Sequence, residues 1–118
     1  SSGDVNSIRW SPDGKRLAAG FADGNLRIWD MMQNQTLDTI VYRDEVKDLA
    51  WSPDSRQIAF GGWSLSDNVL VKVWSLSSKQ TTLTFPHQDN VNTIAWSPDG
   101  NYIASGTQDG VVWLWNVK

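Results

Sequence analysis

The chain has no cysteine, no cluster of basic residues and no long apolar run, and each absence excludes a class of protein. Without cysteine, neither a disulfide framework nor a thiolate metal site can form. The 10 Lys and Arg residues are scattered among 13 Asp and Glu residues, which does not match the basic patch of a nucleic-acid or acidic-membrane binder. No apolar segment approaches the length of a membrane span, and no secretory signal is visible. We therefore expect a cytoplasmic protein that binds neither nucleic acid nor membrane.

Tryptophan, by contrast, is abundant, and its positions reveal a repeat. The chain of 118 residues contains 8 Trp. Six of them occupy two recurring sites, one at Trp10, Trp51 and Trp96 and the other at Trp29, Trp74 and Trp115. The intervals are 41 and 45 residues, and a period in this range predicts propeller blades of about four strands each. Helical repeats of similar length would instead show a periodicity of about 3.6 residues.

Each repeat contains three short β-prone runs joined by two tight-turn signals. In the third repeat the runs are Val91–Trp96, Asn101–Gly106 and Val111–Trp115, and the signals are Ser-Pro-Asp-Gly at 97–100 and Asp-Gly at 109–110. Pro presets φ, Asp can bond its own backbone and Gly tolerates positive φ, so both signals predict hairpin turns. The repeats predict structural units at 1–45, 46–90 and 91–118, and the longer middle copy predicts a lengthened loop at 61–68.

Within a unit, the apolar pattern distinguishes the strands. The first strand spaces its apolar residues three and then two apart, as in Val5, Ile8 and Trp10, so it is predicted to carry one extra residue, a β-bulge. The second and third strands are nearly all apolar, which favours central strands buried on both faces. Polar, Thr-rich runs at Gln35–Val41 and Lys79–Phe85 predict an outer fourth strand in the first two units, which the third unit lacks. The sequence thus predicts an all-β fold of eleven strands.

Three copies of one pattern resemble the WD-repeat β-propeller family. Ser-Pro-Asp follows a Trp, Ala-Ser-Gly-x-x-Asp-Gly stands at 104–110, and Trp-Asp closes the first copy at Trp29 and Asp30. The resemblance covers essentially the whole chain. It implies a partial propeller, or one protomer of an assembled ring, built from about three four-stranded antiparallel blades, of which the last lacks its outer strand.

The resemblance also implies a structural tetrad in each blade, formed by a His, a Ser or Thr, an Asp and a Trp that share hydrogen bonds. The third unit matches at every position, with His87, Ser105, Asp109 and Trp115. The other units match only in Asp and Trp, at Asp67 and Trp74 in the second and at Asp23 and Trp29 in the first; Tyr42, Phe60, Ser1 and Ala19 stand at the remaining positions.

A buried Asp needs donors to offset its desolvation. We expect His87 and Trp115 to offer N–H groups to Asp109, whereas Asp23 and Asp67 depend on the backbone of their own turns. On this expectation the third unit is the best ordered, and Asp109→Ala costs more stability than Asp23→Ala.

The residue types also allow two catalytic interpretations, but their context favours structural roles. His87, Ser105 and Asp109 could form a hydrolytic triad, yet Ser105 lies within a strand rather than at the strained elbow of a Gly-x-Ser-x-Gly motif. Asp13, Asp54 and Asp99 could act as acid–base carboxylates, yet each occupies the same turn of its own unit, where Asp is a common turn former. We therefore expect no enzyme activity, no metal site and no cofactor.

The resemblance implies a non-catalytic scaffold that binds a protein or peptide at the propeller rim. The rim comprises the loops before each first strand and those between the second and third strands. Its candidate residues are Asp4, Asn6, Asp44, Glu45, Lys47, Trp63, Ser66, Asp89, Asn92 and Gln108, with Ala22 and Asn90 beside them. Because this set is mostly acidic and amide, we expect a basic or polar peptide partner. Trp63, which lies outside the repeat pattern, could be a hot spot for that partner or could fold back over the blade as a plug.

Three blades are too few to close a ring of four to eight. The open face of the first unit and the third strand of the last would be covered by further blades of a longer propeller or by other copies of the chain. Two copies would give six blades, with each last blade docked on its neighbour's first, so a homo-oligomer through exposed blade edges is an alternative role. Trp113 shares a strand face with Trp115, and we expect it to pack against another blade.

Overall fold

The computed structural model describes residues 3–33, 35–42, 44–64 and 69–117, which form eleven β-strands in three antiparallel sheets. The strands are β1 (Val5–Trp10), β2 (Arg16–Phe21), β3 (Asn25–Asp30), β4 (Gln35–Val41), β5 (Glu45–Trp51), β6 (Gln57–Trp63), β7 (Val69–Ser75), β8 (Gln80–His87), β9 (Val91–Trp96), β10 (Tyr102–Thr107) and β11 (Val112–Asn116). The prediction of an all-β fold is confirmed. The described part of the chain contains no helix that is long and apolar enough to cross a membrane.

Each sheet is a meander in chain order. Sheet 1 runs β1-β2-β3-β4, sheet 2 runs β5-β6-β7-β8, and sheet 3 runs β9-β10-β11. The sheets stack face to face, and the first strands β1, β5 and β9 lie side by side along the stack. The outer strands predicted from the Thr-rich runs are β4 and β8, which are mostly exposed or half-buried.

The bulge predicted in each first strand is confirmed. In sheet 1, Val5 pairs with Phe21 and Ser7 with Gly20, so Asn6 is the extra residue. The same offset leaves Lys47 extra in sheet 2 and Asn92 extra in sheet 3. Gly62 stands opposite the bulge of sheet 2, where an added Cβ would lie 1.9 Å from the Glu45 carbonyl oxygen. The backbones therefore approach each other as only glycine allows.

Two apolar clusters hold the stack together. One joins sheets 1 and 2 through residues such as Leu26, Ile28, Leu49 and Phe60, and the other joins sheets 2 and 3 through Val71, Val73, Val91, Ile94 and Ile103. These side chains are at most 5% exposed. Burial of this apolar surface between sheets, at roughly 25 cal/mol per Å², is the main force that stacks them.

Two predictions need correction. The third strands were expected to be buried on both faces, but β11 is largely exposed because it ends the last described sheet and no described sheet packs against the face with Val112 and Leu114. The lengthened loop was expected at 61–68, but Gly61, Gly62 and Trp63 extend β6 and pair with β5. Residues 65–68, the rest of that predicted loop, lie outside the described residues.

The Ser-Pro-Asp turns have one hydrogen-bond pattern in all three units. In the first, the Ser11 hydroxyl donates to Asp13 Oδ1 at 2.6 Å, and the same oxygen accepts the Lys15 backbone N–H at 3.0 Å. The fourth turn residue takes a positive φ, which Gly14 and Gly100 adopt freely and Ser55 adopts at 63° in the second unit. These contacts confirm Asp13, Asp54 and Asp99 as turn formers on separate sheets.

Candidate rim interface

The candidate rim lies at one edge of the stack, where β1, β5 and β9 begin and where β2 turns into β3 and β10 into β11. Its described carboxylates are Asp4, Asp23, Asp44, Glu45, Asp89 and Asp109. Within the described strand starts and turns of this edge, Lys47 is the one Lys or Arg, and Arg27 of β3 adds a positive charge near Asp23. The turns at the opposite edge carry both signs of charge, for example Lys15 and Arg56 beside Asp13 and Asp54. The described part of the rim is therefore mainly acidic, whereas the opposite edge is mixed in charge.

The bulge residues and Trp63 form a continuous chain of contacts across all three sheets. Asn6 of sheet 1 donates its amide N–H to Glu45 Oε2 at 3.0 Å, and Lys47 Nζ lies 3.2 Å from the same oxygen. The Lys47 ammonium also stands over the Trp63 ring, 4.5 Å from its centroid. Trp63 Nε1–H donates to Asn92 Oδ1 of sheet 3 at 2.9 Å. The structure thus brings five of the predicted rim residues together.

A second group of rim contacts tethers the end of β6 to sheet 3. The Ser64 backbone N–H donates to Asn90 Oδ1 at 2.9 Å, and the Asn90 side-chain amide donates to Gln108 Oε1 at 3.3 Å. Asp89 Oδ1 accepts the Asn90 backbone N–H at 2.7 Å. Asp4 lies at the same edge in sheet 1, where its carbonyl oxygen accepts the Ala22 N–H at 2.8 Å. Ser66, the remaining predicted rim residue, lies outside the described residues.

Trp63 is neither a buried plug nor a freely exposed ring. It is half-buried at the end of β6, and its indole N–H is held by Asn92 on the next sheet. A large aromatic fixed in this way presents an accessible surface without an additional entropic cost of ordering. This placement suits a contact residue at the rim.

Three of the four tetrad residues form a hydrogen-bonded relay between His87, at the end of β8 in sheet 2, and Ser105 and Trp115 of sheet 3. His87 Nδ1 lies 3.0 Å from the Phe85 carbonyl oxygen, and His87 Nε2 lies 2.7 Å from Ser105 Oγ. Because a carbonyl can only accept, Nδ1 carries the proton, and Nε2 accepts the Ser105 hydroxyl proton. Trp115 Nε1–H donates to Ser105 Oγ at 3.4 Å. Burial lowers the pKa of His87, which agrees with a neutral ring.

Asp109 does not take part in this relay. Its carboxylate is exposed and accepts the Thr107 hydroxyl, while the N–H groups expected to reach it from His87 and Trp115 go to Phe85 and Ser105. The expectation that His87 and Trp115 serve Asp109 is therefore wrong, and so is the reason for ranking Asp109→Ala above Asp23→Ala. Asp23 is likewise exposed and accepts the backbone N–H groups of Gly3 and Asn25 at 3.2 and 3.1 Å.

The positions equivalent to His87 and Ser105 one sheet earlier hold Tyr42, just after β4 of sheet 1, and Phe60 of sheet 2. The two rings meet edge to face with centroids 5.5 Å apart, and both residues are buried, Phe60 at 0% exposure. The Tyr42 hydroxyl donates to the Leu70 carbonyl oxygen. Burial, with a further contribution from the Asp44 carboxylate, raises the pKa of Tyr42 to about 12.

The remaining tetrad positions divide by exposure. Trp74 is buried, whereas Trp29 is half-buried and pairs with Leu17 across sheet 1. Ala19, in the place of Ser105, is buried. Asp67 and Ser1 lie outside the described residues.

The catalytic interpretations gain no support from this geometry. Ser105 is 1% exposed and His87 3% exposed, so a substrate carbonyl has no access to the hydroxyl, and Asp109 does not orient the imidazole. Hydrogen bonds from Ser11, Ser52 and Ser97, the largest cause in each case, lower the pKa of Asp13, Asp54 and Asp99, so these carboxylates are poor general bases near neutral pH. Within the described ranges, no group of three or more His, Asp or Glu side chains could hold a metal ion.

Asp48 is an important residue that the sequence patterns did not single out. It is 6% exposed, and one carboxylate oxygen accepts from Ser7 Oγ at 3.0 Å and Arg9 Nη2 at 3.1 Å. The other oxygen accepts from Thr93 Oγ1 at 3.2 Å and from the Ile94 backbone N–H at 2.8 Å. One buried carboxylate therefore links the first strands of all three sheets just below the rim. A signal did exist, because the position after each bulge is polar in all three repeats.

Trp113 packs as its strand position suggests. It stacks on Trp115 with centroids 5.9 Å apart and meets His87 edge to face at the same distance. His87 ends β8 of sheet 2, so the expected contact with another blade is present.

Comparison with known proteins agrees with this fold. The family model described as "WD domain, G-beta repeat" matches residues 1–30 and 77–116, more than half of the chain. WD repeat-containing protein 1 of Xenopus tropicalis is 40% identical over 57 residues, which cover 46% of this chain and 9% of that protein. Actin-interacting protein 1 of Drosophila melanogaster is 36% identical over 61 residues, which cover 49% of this chain and 10% of that protein. The matches thus span about a tenth of the length of these curated relatives.

The fold has close counterparts among solved structures. The crystal structure of the RRP9 WD40 repeats superposes with a TM-score of 0.85 at 24% identity, over 96% of this chain and 35% of that one. The structure of U3-55K gives the same TM-score and identity and covers 36% of that chain. The chain has three repeats in register and three stacked antiparallel sheets, and the family model matches more than half of its residues. It therefore belongs to the WD-repeat family of β-propeller proteins.

Proposed function

We propose that the chain is a non-catalytic scaffold that binds a basic peptide segment of a protein partner at its acidic rim. Members of the WD-repeat family generally serve as scaffolds for protein interaction, and the name of the Drosophila relative states that it interacts with actin, a protein. The observation that carries the finer proposal is the excess of negative charge at the rim. Six described carboxylates lie there, and the described cations beside them are Lys47, over the Trp63 ring, and Arg27, near Asp23.

Physical chemistry favours a basic partner at such a surface. Like charges juxtaposed at an interface disfavour an acidic partner, whereas an acidic patch raises the rate at which basic segments associate. Aromatic residues are enriched among binding hot spots, and Trp63 is both fixed and accessible. Since the contacts are exposed, the attraction should weaken with salt, because the Debye length at physiological ionic strength is about 8 Å.

Two matched pairs of substitutions test the rim. Asp44→Asn with Asp89→Asn removes two charges there, whereas Asp54→Asn with Asp99→Asn removes two charges at the opposite edge and retains an oxygen that can cap each turn. Binding of a labelled peptide of alternating Arg and Gly to the 118-residue chain is measured by fluorescence anisotropy. We expect the rim pair to weaken binding about 2- to 10-fold and the control pair to leave it within about 2-fold. Equal losses in both variants, or no binding to the parent chain, would contradict the proposal.

A second candidate function is self-assembly into a ring, and the two end faces of the stack support it. Between sheets 1 and 2, the β5 residues Leu49 and Trp51 pack in one cluster with the β3 residues Leu26 and Ile28. A first-strand face thus covers a third-strand face. The same pairing would join two copies of the chain end to end.

Both partner faces of such a joint are open at the ends. Ile8 and Trp10, the counterparts of Leu49 and Trp51, are 53% and 59% exposed. Val112 and Leu114, the counterparts of Leu26 and Ile28, are 76% and 67% exposed. Exposed apolar faces of this kind mark sites of association. Further blades of a longer propeller would cover the same two faces.

Light scattering of the pure chain distinguishes whether the two open faces are covered by other copies of the chain or by further blades of a longer propeller. Assembly into a ring predicts a single species of two or three protomers, which Trp10→Arg converts to a monomer. Met32→Arg, at a side chain that is 74% exposed in a turn, is the control and should not change the species. A monomeric parent chain, or aggregation without a defined size, would exclude the closed ring.

A further inference from the structure

The Lys47 ammonium occupies a defined cation site at the rim. It lies between the Trp63 ring, 4.5 Å from the centroid, and the Glu45 carboxylate, 3.2 Å away. The side chains of Lys47 and Glu45 are 30% and 32% exposed, so the site is partly covered and still open to solvent. An aromatic face beside a carboxylate attracts cations through the ring quadrupole and through charge.

The walls of this site are fixed independently of the cation. Trp63 is held by its N–H bond to Asn92 on sheet 3, and Glu45 is held by the Asn6 amide on sheet 1. Glu45 and Trp63 are also paired directly across β5 and β6. Lys47, in contrast, is the extra residue of the bulge, and its ammonium is carried on a flexible four-carbon stem. The cation can therefore leave while the walls stay in place.

An arginine suits these walls better than the lysine that fills them. A guanidinium is planar, stacks on an indole face, is less strongly hydrated than an ammonium and can bond a carboxylate through two N–H groups. A partner lysine would only replace one ammonium by another. The site therefore discriminates between the two basic side chains, with Lys47 as the internal competitor.

We propose that Trp63 and Glu45 form an arginine-binding subsite that Lys47 occupies in the free chain and vacates when a partner's arginine enters. The inference rests on the proposed function of the rim, since it names the side chain that a basic partner would insert there. It implies that Lys47, a cation within an acidic surface, limits the affinity of that surface for arginine.

The test is a double-mutant cycle with two small probes. The peptides acetyl-Gly-Arg-Gly-amide and acetyl-Gly-Lys-Gly-amide are titrated into the 15N-labelled chain, and the indole N–H signal of Trp63 and the backbone amides of the rim report binding. Lys47→Met removes the charge and keeps the length of the stem. We expect it to raise the association constant for the arginine peptide about 3- to 10-fold, a range set by the strength of one cation–π contact. The gain for the lysine peptide should be smaller.

The loss of a positive charge alone would also favour basic peptides, and the cycle separates this effect from the subsite. In a Trp63→Leu background, Lys47→Met changes the rim charge equally but has no ring to free, so the arginine gain should fall below about 2-fold. Glu45→Gln provides a second background. It keeps an oxygen that can accept from Asn6, and in this background Lys47→Met should likewise give no gain for the arginine peptide. It replaces Trp63→Leu if the loss of the indole lowers the thermal midpoint of the chain.

Each outcome decides the question. A gain that persists unchanged in the Trp63→Leu or Glu45→Gln background would mean that only net charge matters, and the subsite would be rejected while rim binding stands. An unchanged association constant in Lys47→Met would also reject it. If the parent chain and all variants fail to bind either peptide and the longer Arg-Gly peptide, the proposed function and the subsite fall together.

Discussion

Where the end of β8 meets sheet 3, the repeat positions beside the third-strand Trp hold a polar pair, His87 and Ser105. Where the chain after β4 meets sheet 2, they hold two aromatic rings, Tyr42 and Phe60. In both pairs the polar groups have hydrogen-bond partners. Ser105 donates to His87, whose other ring nitrogen donates its N–H to the Phe85 carbonyl oxygen, and the Tyr42 hydroxyl donates to a backbone carbonyl while both rings are buried. The comparison shows that the fold requires this space to be filled and every polar group in it to be satisfied, but does not require one particular chemistry.

The largest effect is expected where an aromatic ring is removed. Phe60→Ala deletes a fully buried ring in sheet 2 and leaves a cavity between sheets 1 and 2, so we expect the free energy of unfolding to fall by about 3–5 kcal/mol. Urea denaturation of the 118-residue chain measures it. Leu83→Ala, which removes an apolar side chain that is 38% exposed, is the control. If Phe60→Ala lowered the free energy of unfolding by less than Leu83→Ala, the claim that the aromatic pair stabilises the core would be contradicted.

A smaller loss is expected when the polar pair is broken. Ser105→Ala leaves the buried His87 Nε2 without a donor and Trp115 Nε1–H without its acceptor, which should cost about 1–3 kcal/mol. Ser78→Ala removes an exposed hydroxyl and serves as the control. If both substitutions shift the denaturation midpoint equally, the relay is not a source of stability.

The two pairs should also respond to opposite ends of the pH scale. Since burial lowers the pKa of His87, the unfolded chain binds a proton more readily than the folded one below about pH 6.5, and stability should fall as the pH drops from 7.5 to 5.5. His87 is the only histidine of the chain, so His87→Gln should abolish this slope. An unchanged slope in His87→Gln would show that another group is responsible.

The smallest effect is expected at the Tyr42 hydroxyl. Tyr42→Phe keeps the ring and loses one hydrogen bond to the Leu70 carbonyl, at a cost of about 0.5–1.5 kcal/mol. Because the pKa of Tyr42 is raised to about 12, the parent chain should also lose stability as the pH rises from 10 toward 12, and Tyr42→Phe should lose less. Tyr102→Phe, at a side chain that is 38% exposed, is the matched control. If Tyr42→Phe and the parent chain lost the same stability between pH 10 and 12, Tyr42 would not be the group whose ionisation destabilises the fold.

The repeat pattern was sufficient to predict the strands, the bulges and the turns. These features depend on local periodicity and on residues that prefer particular backbone angles, as the spacing of Val5, Ile8 and Trp10 shows. The exposure of β11 could not be predicted in this way, because burial depends on which sheet lies against the strand. The family resemblance, rather than the pattern, assigned Asn6, Lys47 and Asn92 to the rim, and all three lie at that edge in the structure.

The hydrogen-bond partners of these residues were harder to predict than their places in the strands. The resemblance placed His87, Ser105, Asp109 and Trp115 in one group, but which of their atoms come within hydrogen-bonding distance depends on the packing of sheet 2 against sheet 3. The links that Asp48 makes to Ser7 and Thr93 span about forty residues in each direction. The contact of Lys47 with Trp63 arises from a bulge and an extended β6 that together set two side chains side by side.

The most direct test of the account is to map where a basic segment binds. The 15N-labelled chain is titrated with the alternating Arg and Gly peptide, and changes in backbone and indole N–H signals are followed residue by residue. We predict that the largest changes cluster at Glu45, Lys47, Trp63 and Asn92 and decrease with added salt. Changes confined to the turns at Asp54 and Asp99, or to the open faces at Trp10 and Leu114, would contradict a partner site at the acidic rim.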